Sequence, residues 1–182
     1  MSVAIRPATD SDRDAIVRVF LACWRESYAA VLPAPLVDGM DEHRATTLWD
    51  RVLSESQPGE VLVAEDGAAA TGPAAAGELL GVTRFAAPAD GEGIVHSLYV
   101  APAAQGRGVG SRLLGAAARA LADAGCTRAT LWVFRANEPS IGFYRRQGWL
   151  PDGRERVQPE FGEPELRLAR DLVPGVGQAA GS

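Results

Sequence analysis

The 182-residue chain predicts a single α/β domain built on a mixed sheet. Three observations carry that reading. Apolar residues recur at helical spacing in some segments and cluster in short strand-like runs in others. The two kinds of segment interleave as one strand, two helices, three strands, a helix, a strand, a helix and two strands. A 47% apolar fraction in a 19.1 kDa chain is enough to fill one hydrophobic core. The domain is expected over residues 1–172, with the sequence VPGVGQAAGS (173–182) as a disordered tail.

Residues 3–6 read as a strand, and Thr9 or Asp10 caps a helix reaching about residue 30. Ile16, Val19, Phe20, Cys23 and Trp24 recur at helical spacing and face the core. Pro33 and Pro35 break the chain, giving an irregular connection to a second helix at 41–53 with Leu48, Trp49 and Val52 inward. EVLVAED (60–66) and ELLGVTRF (78–85) read as antiparallel strands joined by a Gly/Ala/Pro-rich loop at 67–77. IVHSLYV (94–100) is the next strand, followed by QGRGVG (105–110) and a helix to about residue 124. RATLWVF (128–134) is a strand, 137–148 a short helix ending at Gly148, WLPD (149–152) a strand and 164–172 a last strand.

Composition excludes several chemistries. No lysine occurs, so the 18 basic residues are all arginine, and neither a P-loop nor a Schiff-base enzyme has the amine it needs. Two histidines (43 and 96) and two cysteines (23 and 126) have no ligand spacing, so no metal site is expected; the cysteines read as buried free thiols. No long apolar run predicts a membrane span or leader, and a pI near 5.1 without a basic, aromatic-interleaved tract argues against nucleic acid. A cytoplasmic location follows as an expectation. Charge is uneven: residues 1–95 hold 15 acidic residues against 7 arginines, net −8, while 96–182 hold 8 against 11, net +3. The acidic half favours a cationic amine partner and the basic half an anionic ligand.

Three glycines at a strand-to-helix junction suit an anion. The turn exposes backbone N–H groups, the helix dipole adds positive character, and missing Cβ atoms let a phosphate approach. Arg107, Arg112 and Ser111 are further donors. The dinucleotide fingerprint G-x-G-x-x-G fails on count, since the sixth residue is Leu113 from Gly108 and Ser111 from Gly106, so a nicotinamide site is the weaker reading.

The spacing Gln105-x-x-Gly108-x-Gly110 after LYVAP, followed by NEPSIGFYRRQGW (137–149), resembles the GNAT superfamily of acyl-coenzyme A dependent N-acyltransferases. Element order agrees over about residues 1–172, and Ser140 replaces a frequent alanine. The resemblance implies a mostly antiparallel sheet of six to seven strands flanked by about four helices, with a splayed parallel strand pair. It implies acetyl-CoA as acyl donor, held by Leu98, Tyr99, Val100, Gln105, Gly106, Arg107, Gly108, Val109, Gly110, Ser111, Asn137 and Tyr144. The Leu98 backbone would stabilise the oxyanion formed on the thioester carbonyl.

For catalysis the same resemblance points to Tyr144 as proton donor to the departing thiolate, a phenol being close enough to a thiol in pKa to serve. The position of a frequent family glutamate is Ile94 here, and His96, two residues on, offers a base suited to neutral pH. Members acting on arylalkylamines carry a histidine at the corresponding place. Glu92, acting through water, is the second candidate. Trp24, Glu26 and Tyr28 fall in the segment expected to wall the acceptor site, and His43 reads as an exposed helix residue. The expected activity is acetyl transfer to a primary amine, small molecule or peptide, by direct attack in a ternary complex. A non-catalytic acyl-CoA sensing module is the alternative, and family habit makes a homodimer an expectation.

Overall fold

A computed structural model describes residues 3–67, 78–89 and 91–172. The expected loop at 67–77 and the tail at 173–182 lie almost wholly outside those residues. Seven strands form one sheet in the order β1-β2-β3-β4-β5-β7-β6, with β1 (Val3–Pro7), β2 (Val61–Asp66), β3 (Leu79–Ala86), β4 (Glu92–Val100), β5 (Arg128–Phe134), β6 (Leu150–Val157) and β7 (Pro164–Asp171). Every neighbouring pair is antiparallel except β4–β5.

The helices cover the two faces separately. On one face lie α1 (Arg13–Glu26), α2 (Ala34–Gly39) and α3 (Glu42–Glu55), packed through Ile16, Phe20, Trp24, Trp49 and Val52. The opposite face buries α4 (Val109–Asp123) and α5 (Glu138–Arg146) through Leu113, Leu114, Leu121, Ile141 and the fully buried Trp149. Each fully buried large apolar side chain contributes roughly 1.5–3 kcal/mol, so two such cores fix the sheet rigidly between them. At the front edge, Asp12 (5% exposed) accepts from both terminal nitrogens of Arg6 at 2.7 and 2.8 Å, tying β1 to the start of α1.

Three elements differ from the sequence expectation. The first helix stops at Glu26 instead of near residue 30, because Ser27 and Tyr28 N–H both turn back onto the Cys23 carbonyl at 2.8 and 3.2 Å. That turn aims Tyr28 at the middle of the sheet. The connection expected to be irregular contains α2, a fifth helix, since Pro35 falls in its first turn where no N–H is needed. Trp24 Nε1 donates to the Leu36 carbonyl of α2 at 3.4 Å. The strand expected at 149–152 runs instead from Leu150 to Val157, with a register break between Pro151 and Glu155. Its RERV half is exposed edge strand, so no buried apolar face marks it in the sequence.

Candidate active site

The site begins where two parallel strands part. β4 and β5 pair from Glu92–Arg128 to Val95–Leu131 and no further, while β4 stays paired to β3 up to Val100. An extra residue on β4 produces the divergence: Val95 faces Phe85 and Ser97 faces Arg84, leaving His96 as the bulged residue between them. Beyond it, the β4 edge turned toward β5 has backbone groups with no strand to bond.

The glycine loop closes the far end of that gap. Gly106 (φ 74°) and Gly108 (φ 78°) adopt the left-handed conformation, with Gly108 capping α4. Gly110 has a different job: a Cβ there would lie 3.3 Å from the Phe143 ring, so its absence lets α4 pack against α5. The first N–H groups of α4 therefore open onto the gap without a side chain in front of them.

Two cavities meet at the splay. The larger, about 740 Å³, is lined by Leu98, Tyr99, Val100, Gln105, Gly106, Gly108, Val109, Gly110, Ser111, Asn137 and Tyr144 among others. These are eleven of the twelve residues expected to hold the donor. Arg107 is the exception: its guanidinium lies 3.7 Å from Asp66 on β2 and it lines neither cavity. Val100 O, at the strand end, accepts from the Cys23 thiol at 3.1 Å and from the Gln105 amide at 3.2 Å. Burial pushes that thiol's pKa up to about 11, so it stays protonated and donates.

The smaller cavity, about 360 Å³, lies on the other side of the sheet edge. Trp24, Tyr28 and His96 line it, and it shares Tyr28, Leu98, Tyr99, Asn137, Ser140 and Tyr144 with the larger one. Glu26, expected with the acceptor, is the last residue of α1 and lines the larger cavity instead. Glu92 is not brought to the gap. It opens β4 at the paired end, where Arg167 Nη1 donates to it at 2.9 Å and Arg128 lies 3.8 Å away. His43 is exposed on α3, as expected.

Several lining residues escaped the sequence reading: Trp132 and Phe134 on β5, Arg156 on β6, Gln158 and Phe161 in the following turn, and Glu165 on β7. Trp132 and Phe134 alternate along β5, the one signal that put them on a common face. The others depended on the true length of β6.

All three tyrosines of the chain border the junction. Burial, then neighbouring groups, drives Tyr99 and Tyr144 well above the ordinary phenol range and Tyr28 to about 12, so each keeps its proton at neutral pH. His96 moves the other way: burial first, then Arg84, lower its pKa, Glu60 opposes, and Arg156 adds to the lowering. Its imidazole, partly desolvated at the cavity wall, is therefore mostly neutral at pH 7 and able to accept a proton. Asn137, 8% exposed, caps α5 by accepting from Ser140 N–H at 3.2 Å and sets the helix carrying Tyr144.

A sheet split at one parallel pair, with a glycine loop at a helix start on one side and an aromatic cavity on the other, is the layout found in acyltransferases of one family. The family model described as acetyltransferase (GNAT) family matches residues 17–149, and the chain belongs to that family of acetyltransferases. A curated Mycobacterium tuberculosis protein named as a probable N-acetyltransferase is 28% identical over 167 residues, covering 84% of this chain and 83% of its own. Among solved structures, the PaiA N-acetyltransferase of Thermoplasma acidophilum in complex with coenzyme A superposes with a TM-score of 0.72 at 17% identity, covering 94% of this chain and all of its own. A Salmonella typhimurium acetyltransferase with acetyl-CoA gives 0.67 at 19% identity, with both chains fully covered. These two likenesses speak for the fold.

Proposed function

We propose that this acetyltransferase takes its acetyl group from acetyl-CoA and passes it to a primary amine by direct attack while both reactants are bound, in the cytoplasm. The carrying observation is the meeting of the two cavities at Leu98, Tyr99 and Tyr144, which gives each reactant its own entrance to one point. A covalent acyl-enzyme has little support: the one thiol lining a cavity, Cys23, is buried, protonated and committed to Val100 O.

On this reading backbone N–H groups of residues 106–111 hold the diphosphate, and the free β4 edge at Leu98–Val100 pairs with the amide-bearing arm of the donor. The Leu98 N–H faces the developing oxyanion. His96, neutral at pH 7, takes the proton of the incoming amine directly or through a water. Tyr144 donates a hydrogen bond to the departing sulfur. Full transfer from a phenol at about 10 to a thiolate at about 8.5 is uphill by roughly 2 kcal/mol in water. The raised pKa of Tyr144 steepens that step, so its work is to stabilise sulfur charge until the released amine proton arrives.

Coenzyme A binding by calorimetry, followed by release of free thiol from acetyl-CoA across an amine panel, tests the proposal. Thiol release that depends on an amine is the expected result. Tight binding with no release by any amine would return the protein to a non-catalytic sensing module.

A further inference from the structure

The acceptor is the unknown in this chemistry, and its cavity is not electrically neutral in character. Arg156 starts on β6, three strand spacings or about 14 Å from β4, yet its side chain reaches back across β7. The guanidinium carbon rests 4.2 Å over the Trp132 ring, and Trp132 is the first β5 residue past the last β4–β5 pair. The charge thus ends at the fork of the splay, one strand from His96.

Two contacts fix this guanidinium. Its Nε donates to Glu165 Oε2 at 2.6 Å, and Gln158 Nε2 donates to the same oxygen at 2.8 Å. Glu165 is only 5% exposed, so the anchor is rigid. Stacking on an indole holds the plane of the fork. Glu165 and Trp132 together consume one edge and one face of the arginine, and its two terminal nitrogens have no protein partner among the described residues. The side chain lines the acceptor cavity and keeps 40% of its surface exposed.

Resting on the acetyl-transfer reading above, we infer that the acceptor is an amine carrying a carboxylate a few bonds from its nitrogen, and that the Arg156 fork clamps that carboxylate. A guanidinium with Nε occupied and both terminal N–H groups free presents two parallel donors, the geometry of bidentate carboxylate recognition. Arg84 on β3 lines neither cavity and adds nothing to the clamp; its effect on His96 is opposed by Glu60. Among the described residues Glu165 is the one carboxylate lining the cavity, and it is already paired with Arg156, which leaves no unpaired carboxylate among them to receive a second ammonium of a polyamine. The overall acidity of residues 1–95 is thus a poor guide, because the two charged side chains that line the acceptor cavity among the described residues, Arg156 and Glu165, come from β6 and β7 in the other half.

The test pairs each amino acid with its amide: L-phenylalanine, L-methionine and β-alanine against the three corresponding amides, by kcat/KM for thiol release. Amidation lowers the pKa of the amine and frees more nucleophile at pH 7, so chemistry alone favours the amides. The clamp predicts the reverse for at least one pair, by about tenfold or more, consistent with charge-assisted hydrogen bonds. Arg156→Gln brings that ratio down to one or below, where the intrinsic chemistry puts it, and Arg156→Lys restores part of it. A ratio at or below one for every pair in the wild type overturns the inference while leaving acetyl transfer intact. So does a ratio that Arg156→Gln leaves unaltered, which would make the residue only a brace for the β6–β7 hairpin. No thiol release from any member, while another amine of the wider panel is acetylated, overturns the clamp alone; no release from any amine, with coenzyme A binding retained, brings down the acetyl-transfer reading and the clamp with it.

Discussion

The two cavities flanking the β4–β5 fork are built by opposite means. The side proposed for the donor centres on the turn at residues 105–111 and the end of β4, and what matters there is backbone: left-handed glycines, bare helix N–H groups and an unpaired strand edge. Side chains from α1, β4, β5, α5, β6, β7 and the turn before β7 make the acceptor side. A backbone site needs only that side chains be absent, and it serves any acyl carrier of the same anionic class. A side-chain site changes with each substitution, so the same fold can keep its donor and alter its acceptor.

Tyr144 belongs to both cavities and gives the largest expected effect. Tyr144→Phe removes one oxygen from a packed ring that already contacts Phe143 at 5.2 Å between centroids, so the fold is expected to survive. Loss of the hydroxyl lowers kcat by about a hundredfold or more, within the range for proton-donating groups. Coenzyme A affinity stays near wild type by calorimetry. An unchanged kcat across pH would take the phenol out of the chemistry.

His96→Gln is next, at about ten- to a hundredfold in kcat/KM at pH 7. The sign of the pH effect is specific. A histidine with its pKa lowered below the ordinary 6.5 is unprotonated, and so competent, from neutral pH down to that lowered value. Wild-type activity should therefore fall on an acidic limb whose midpoint lies under 6.5, and the glutamine variant should lack that limb. The groups governing the midpoint are Arg84 on β3, Glu60 just before β2 and Arg156 on β6. Titration of the acceptor's own ammonium, at higher pH, appears in both proteins.

On the donor side Gly108→Val forces a β-branched residue to φ 78° at the cap of α4. A left-handed backbone costs such a residue roughly 1–2 kcal/mol, equivalent to about tenfold weaker coenzyme A binding if the loop must reorganise to bind. KM for the amine at saturating donor should not move. A change confined to the amine would mean that the loop does not hold the donor.

Such a loop is legible in sequence for the same reason that it is sensitive to a Cβ. Gly106 and Gly108 report backbone geometry directly, and Asn137 reports a helix cap, so residues that line the larger cavity were readable individually, Arg107 excepted because its side chain turns to Asp66. The mostly antiparallel sheet and the parting at β4–β5 followed from the resemblance those motifs support, while the full strand order is read from the structure. Arg156 and Glu165 were not readable: they face each other only because β6 pairs with β7 in a register shifted between Pro151 and Glu155. Charged residues alternating on an exposed edge look like ordinary surface. Glu26 and Glu92 fall outside the smaller cavity for a related reason, since a few residues of helix or strand decide which wall a side chain joins.

The smallest effect expected concerns the acceptor wall alone. Phe161 lies in the turn between β6 and β7, its ring centroid 5.5 Å from Phe134 and 6.4 Å from Trp24. It is half-buried and closes the cavity on the side away from the fork. Phe161→Ala removes apolar wall without touching β4, the glycine loop or Tyr144. Amine KM should rise a few-fold, which is less than full burial of an aromatic would imply because part of the ring already meets water. Donor affinity should not change. If coenzyme A binding weakened along with amine binding, the two cavities would not be separable, and the division of labour between backbone and side chains would have to be redrawn as one continuous site.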